Sequence, residues 1–137
     1  MARRRHRSRI AVMQVLFEKE KHPSCDPDTS LIRNTEELGD LDEGFAKELL
    51  AGVTAHHDDI CAAIQSHAPD WPLDRMDPIS RSILLIGGEE LLYRKDAPAA
   101  VVMNEAIDVA KEYGTPESGK FVNGVLNAVA QAIGSKK

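Results

Sequence analysis

The pattern that most restricts this chain is its hydrophobic period. Apolar residues recur at helical spacing almost everywhere, and no run alternates strictly as a half-buried strand would. Ala99, Val102, Met103, Ala106, Ala110 and Tyr113 follow the i, i+3, i+4, i+7 rule closely. The apolar mass is Ala, Val, Leu and Ile, with only 4% aromatic residues, which suits helix-on-helix packing. The expected fold class is therefore all-α. At 137 residues the chain is expected to form one domain over 1–137, with 1–8 and 134–137 flexible.

Proline, glycine and capping residues divide the pattern into helices. The spacing predicts a first helix over Arg5 to Lys21, ended by Pro23 and Pro27. A weak second follows from Asp28 to Leu38, stopped by Gly39. A third runs from Asp42 to His67, with acids at its start and a break near Gly52. Pro69, Trp71 and Pro72 mark a loop in which Trp71 reads as a packing plug. Asp77-Pro78 opens a helix through Tyr93, and Asp96-Ala97-Pro98 opens another. Gly114 suits the left-handed position that closes it. Thr115-Pro116-Glu117 starts the last helix, which reaches about Ile133 and leaves a frayed Ser135-Lys136-Lys137 tail. In it, Val122, Leu126, Val129 and Ile133 lie within about 60° of one another and form the buried stripe. Mid-helix Gly124 calls for close approach of another helix or of a ligand.

Charge is unevenly placed. The formal net charge is −5, yet Arg3, Arg4, Arg5, Arg7 and Arg9 stand in the first nine residues with no acid among them. A basic end on an acidic body suits a polyanion, nucleic acid first. Arginine also suits phosphate and planar bases. The five project round the helix rather than along one stripe, which argues against a membrane-surface helix. Ile10 to Phe17 is apolar on most sides and reads as buried, so the basic end is expected to protrude from an anchored helix. The alternative is a solvated, solubilising tail. Near the other end, Lys120 precedes Phe121, which lies about 100° from the centre of the buried stripe. Phe121 either packs at the core edge or stands exposed where it can stack on an unpaired base.

Other chemistry finds little support. Cys25 and Cys61 have no disulfide or zinc-ribbon spacing. His57 and Cys61 share a helix face, but no second pair completes a metal site, and none is expected. No nucleophile–base arrangement or phosphate-binding glycine loop appears, so no catalytic residue or cofactor is expected. No apolar run approaches a membrane span, and the opening lacks a signal-peptide pattern; the expectation is a cytoplasmic protein with no membrane partner.

Two strings carry a family resemblance. Residues 101–128 read VVMNEAIDVAKEYGTPESGKFVNGVLNA and residues 3–18 read RRRHRSRIAVMQVLFE. Together with Leu50-Ala51-Gly52-Val53, they resemble NusB-type transcription antitermination factors along the full length. The resemblance implies about seven helices in two packed subbundles. It also implies binding of single-stranded boxA-type RNA together with the small-subunit ribosomal protein NusE, within an RNA polymerase antitermination complex during ribosomal RNA transcription. Relatives occur as monomers or dimers, so a homodimer is a further implied partner. By position, Arg3, Arg4, Arg5, Arg7, Arg9 and Gln14 fall on one part of the implied RNA surface, and Glu117, Ser118, Lys120 and Phe121 on the other. The two parts are expected to form one composite site. The protein partner is associated with the helix from Pro78 to Tyr93. There the chain departs from the family, with Leu85 for an arginine, Gly87 for a small residue and Glu89 for an aromatic, and the Gly87-Gly88 pair is expected to loosen or kink the helix. Two rival readings are a detached RNA-binding domain of a ribosomal RNA cytosine methyltransferase, whose cofactor-binding α/β part these residues lack, and a protein-interaction adaptor without RNA binding.

Overall fold

A computed structural model describes residues 2–69, 75–94 and 97–135. Trp71, Asp96 and the Lys136-Lys137 tail, each given a role by the sequence pattern, lie outside these. The described residues form seven α-helices: α1 (Ala2–Lys21), α2 (Pro27–Leu38), α3 (Glu43–Ala55), α4 (His57–Ser66), α5 (Pro78–Leu92), α6 (Ala99–Tyr113) and α7 (Pro116–Ser135). They fall into two compact units, 1–51 and 52–137, and the boundary lies within α3.

In the first unit α1 packs on α2. Of the run Ile10 to Phe17, Ile10, Ala11, Val12, Met13 and Val15 are buried as expected, while Gln14, Leu16 and Phe17 are half-buried. Lys19 and Lys21 sit in the last turn, where the helix dipole favours cations. Pro27 occupies the first turn of α2, and Gly39 ends the helix at φ +84°, a conformation that favours glycine. Glu18 of α1 accepts hydrogen bonds from the Ser30 hydroxyl and the Arg33 guanidinium of α2. Asp42 Oδ1 accepts from the Phe45 N–H at 3.0 Å and caps α3.

In the second unit α5 is the central helix. Nearly every residue from Ser80 to Leu91 is buried, and α4, α6 and α7 all pack against it. Its start follows the expected chemistry: the Asp77 carboxylate accepts from the Ser80 N–H at 2.9 Å, with Pro78 in the first turn. The Gly87-Gly88 pair leaves α5 uninterrupted. A Cβ at Gly87 would lie 2.7 Å from Leu126 Cδ1 of α7, and one at Gly88 would lie 2.6 Å from Ile60 Cγ2 of α4. The pair is there for close helix approach.

Two further glycine expectations need correction, and for Gly124 one of two alternatives falls away. The third helix breaks at His56, between α3 and α4, and Gly52 stays helical. Gly52 makes room for the buried Glu89 carboxylate, whose Oε2 a Cβ would meet at 2.0 Å. Gly114 has φ −110° and is not left-handed; its lack of a side chain accommodates Ala110 O and Ser118 Oγ, each 2.9 Å from where a Cβ would be. At Gly124 no described residue outside its own turn comes within 4 Å of such a position, so no described helix approaches it. Ala110, Val122, Val125, Leu126 and Val129 are buried, while Ile133 is half-buried at the end of the expected stripe.

The glycine environments give opposite expectations for one substitution. Gly88→Ala forces a methyl onto Ile60 Cγ2, which is fixed on a branched β carbon, and should lower stability by about 1–3 kcal/mol. Gly124→Ala meets open space and should raise stability by up to about 1 kcal/mol through helix propensity. Urea denaturation of both variants checks the pair.

Glu18 gives a pH expectation. The Ser30 hydroxyl first, then Arg33, hold its carboxyl below the ordinary 4.5. A lowered carboxyl stabilises the fold above the ordinary value and loses that contribution as pH falls through the folded-state value. The stability difference between wild type and Glu18→Gln should be constant above pH 4.5 and shrink below it, as thermal melts across pH will report.

Candidate nucleic-acid interface

The arginines of α1 are held by the segment that leads into α3. Arg4 Nε donates to Asp40 Oδ1 at 3.0 Å and Arg4 Nη2 to the Leu41 carbonyl at 2.9 Å. Arg7 Nη1 donates to the Asp40 carbonyl at 3.0 Å. Ser8 ties the same segment down: its Oγ donates to the Asp42 carbonyl at 2.8 Å and accepts from the Asp42 N–H at 3.0 Å. The guanidinium of Arg5 lies 4.4 Å and that of Arg9 5.1 Å from the centre of the Phe45 ring.

The basic end thus lies against residues 40–45 of the same unit. Arg3 and Arg4 are exposed, and Arg5, Arg7 and Gln14 are half-buried. Arg9 is only 5% exposed, which leaves it a supporting place under Phe45 and little surface for a ligand. The Arg4–Asp40 pair is open to solvent on both sides, so it is weak enough to exchange for a phosphate contact.

The start of α7 is built by reciprocal capping. Thr115 Oγ1 accepts from the Ser118 N–H at 3.2 Å, and the Thr115 N–H donates to Ser118 Oγ at 3.2 Å. Ser118 is buried and committed to this cap, so it shapes the turn. Glu117 and Lys120 are exposed, and Phe121 is half-buried, between the two alternatives its helix position allowed. Phe121 lines a cavity of about 380 Å³ together with Arg75, Met76, Asp77, Ser80, Thr115, Glu117 and Ser118. The starts of α5 and α7 thus share one recess.

Two residues, one of them lining this recess, escaped the sequence reading. Arg75 is exposed at its wall; as a lone cation before a helix cap it gave no pattern. Tyr113 ends α6 and is 40% exposed. Its period assigned it to the core, but a helix end faces solvent more than the same phase does in mid-helix. Burial first, and then Glu112, raises its phenol pKa.

The helix associated with a protein partner is mostly interior. Leu85, Gly87 and Glu89, the departures from the family pattern, are all buried. Glu89 Oε1 lies 2.8 Å from His56 Nδ1, and the His56 ring stacks on Tyr93 with centroids 3.7 Å apart. Tyr93 Oη donates to Asp59 Oδ2 at 3.3 Å. These substitutions act on packing within the unit and present no face of their own. Cys61 Sγ lies 3.7 Å from His57 Nε2, and burial pushes the Cys61 thiol up, with Asp58 adding to it. Among the described residues no group of three His, Cys, Asp or Glu side chains could hold a metal.

The family model described as the NusB family matches residues 6–131. The chain belongs to the NusB family. It is 37% identical to the transcription antitermination protein NusB of Methylacidiphilum infernorum over 96% of this chain and 94% of that one. It is 36% identical to the NusB of Desulfitobacterium hafniense over 96% and 91%. Among solved structures, NusB of T. maritima aligns with a TM-score of 0.80 at 35% identity, covering 92% of this chain and 89% of that one. The NusB-like chain in a crystal structure of antitermination factors NusB and NusE in complex with double-stranded RNA aligns with a TM-score of 0.84 at 28% identity, covering 96% and 99%. The NusB resemblance of the two terminal strings and the seven-helix fold are therefore shown together.

The Thr115–Ser118 cap gives a local expectation. Thr115→Ala should cost about 0.5–2 kcal/mol of stability and Thr115→Ser should restore most of it, measured by chemical denaturation.

Proposed function

We propose that this chain is a noncatalytic transcription antitermination factor of the cytoplasm. It binds single-stranded boxA-type RNA together with the ribosomal protein NusE, within the RNA polymerase complex that transcribes ribosomal RNA. Family membership along nearly the whole chain is the observation that carries this reading, and the structural neighbour bound to NusE and RNA supports both partners. No described helix is long and apolar enough to cross a membrane.

The residue chemistry agrees with it. Arg3, Arg4, Arg5 and Arg7 supply cations for phosphates, and Lys120 supplies another at α7. Phe121 offers an aromatic edge at a recess large enough for a base, where stacking gives affinity to an unpaired nucleotide. Tyr113 adds an exposed ring at the α6–α7 junction. Arg9 through Phe45 and Ser118 through the cap of α7 support these contacts from behind, and half-buried Gln14 belongs to the α1 part of the surface. A flipped or unpaired base suits Phe121 better than a closed duplex does, so the reading keeps single-stranded RNA although the neighbouring complex holds a duplex.

Gel shifts and anisotropy titrations with single-stranded and duplex RNA, with and without NusE, test the proposal. If four arginines and Lys120 meet phosphates, log K should fall with log salt at a slope of roughly −3.5. Phe121→Ala should weaken binding by about 1–3 kcal/mol. A flat salt response removes the electrostatic half of the reading. Lost stability with unchanged RNA affinity in Phe121→Ala would return that residue to the core, and absence of RNA binding under all conditions would favour a protein adaptor.

A further inference from the structure

The exposed side of α7 has an opening that no described residue fills. Gly124 is exposed in mid-helix and a methyl placed on it would touch nothing within 4 Å. Three residues after Phe121 and four after Lys120, it lies one turn on, between them on the helix surface. A helix that keeps glycine there forgoes stability without a packing reason. Beyond Lys120 a groove of about 540 Å³ runs between α6 and α7, lined by Ile107, Lys111, Pro116, Gly119, Lys120 and Asn123. At Gly119 the floor is bare backbone, with Lys111 Cγ 3.7 Å and Ile107 Cγ2 3.9 Å from where a Cβ would sit.

The lining has one sign of charge. Lys111 and Lys120 are exposed, Asn123 adds an amide, and no carboxylate is among the lining residues. Two ammonium groups suit a phosphodiester, the amide suits a base edge or sugar hydroxyl, and Ile107, Pro116 and the lysine stems suit the sugar and base faces. We propose that a single RNA strand seated at Phe121 crosses α7 at Gly124 and lays a following phosphate in the α6–α7 groove between Lys111 and Lys120. This rests on the RNA reading above and extends it to a second subsite. Gly124 permits the crossing because the strand meets helix backbone where any other residue would raise a side chain.

Anisotropy titration of the full chain with a boxA-type single-stranded RNA tests this in wild type, Lys111→Gln, Gly124→Ala and Phe121→Ala. Lys111→Gln should weaken binding roughly threefold to tenfold and make the salt slope shallower by about 0.7. Gly124→Ala should weaken binding by a similar factor while raising Tm by about 3–5 °C, so the loss is not one of folding. Wild-type affinity and salt slope in both variants, with Phe121→Ala still impaired, would overturn the groove proposal and leave the RNA reading intact. No RNA binding by wild type would overturn both. A polyglutamate peptide whose binding depends on Lys111, with RNA affinity unchanged by Lys111→Gln, would make the groove a protein site and also overturn it.

Discussion

The second unit depends on how close two helices come to the backbone of α5. Leu126 of α7 and Ile60 of α4 occupy the space where side chains at Gly87 and Gly88 would otherwise stand. Each glycine lowers helix propensity by about 1 kcal/mol, whereas burying a Leu or Ile side chain contributes about 1.5–3 kcal/mol. Both Ile60 and Leu126 are fully buried, so the exchange favours the glycines. The close approach fixes the start of α7 as well. Its first turn is capped by Thr115, while Leu126 anchors its middle to α5, and between these two points Lys120 and Phe121 are held at a set phase of the helix.

Glu89 shows the same principle with a charge. A carboxylate 2% exposed needs a partner, and His56 provides one at 2.8 Å. Room for it exists only because residue 52 lacks a side chain. The Leu50-Ala51-Gly52-Val53 string, one mark of the family resemblance, is therefore also where this chain accommodates its own departure from the family pattern. An aromatic residue at position 89 would need other neighbours, and the Tyr93 ring stacked on His56 supplies aromatic packing one turn further along the helix. Changes at Leu85, Gly87 and Glu89 reach any protein partner only through the position of α5's neighbours.

Local chemistry was the legible part of this sequence. Asp77-Pro78, Thr115-Pro116 and Gly39 each fix a helix end through groups within a few residues, and all three hold in the structure. Gly52 does not break its helix and Gly114 is not left-handed, because the same residue serves a break, a close approach or an open surface, and only tertiary neighbours distinguish these. The helix break fell instead at His56, whose ring is occupied by Glu89 and Tyr93, residues more than thirty positions away. For the candidate site, the strings at both ends supplied the candidate residues. They could not reveal that Arg9 and Ser118 are buried, because Phe45 covers one and helix capping occupies the other. Arg75 was missed because it is a single cation without a pattern, and Tyr113 because its helical period placed it in the core although the end of α6 leaves it exposed.

The contacts of the basic end decide what it can do. Arg4, Arg7 and Ser8 all bond to residues 40–42, so these side chains are ordered before any ligand arrives. A free arginine tail would lose that side-chain freedom on binding, at about 0.5–1.5 kcal/mol for each group immobilised. The restraints are mostly backbone carbonyls and a solvent-open carboxylate, and exposed pairs of that kind hold the guanidinium by about 1 kcal/mol or less. A phosphate can therefore take the place of Asp40 with little loss. One acidic side chain of the body, Asp40, thus helps hold Arg4 at short range, and the net negative charge disfavours nonspecific contact with a polyanion at longer range. A strongly basic protein would bind RNA wherever it touched it. An acidic one meets it favourably only where its own cations gather, as Arg3, Arg4, Arg5 and Arg7 do at the start of α1.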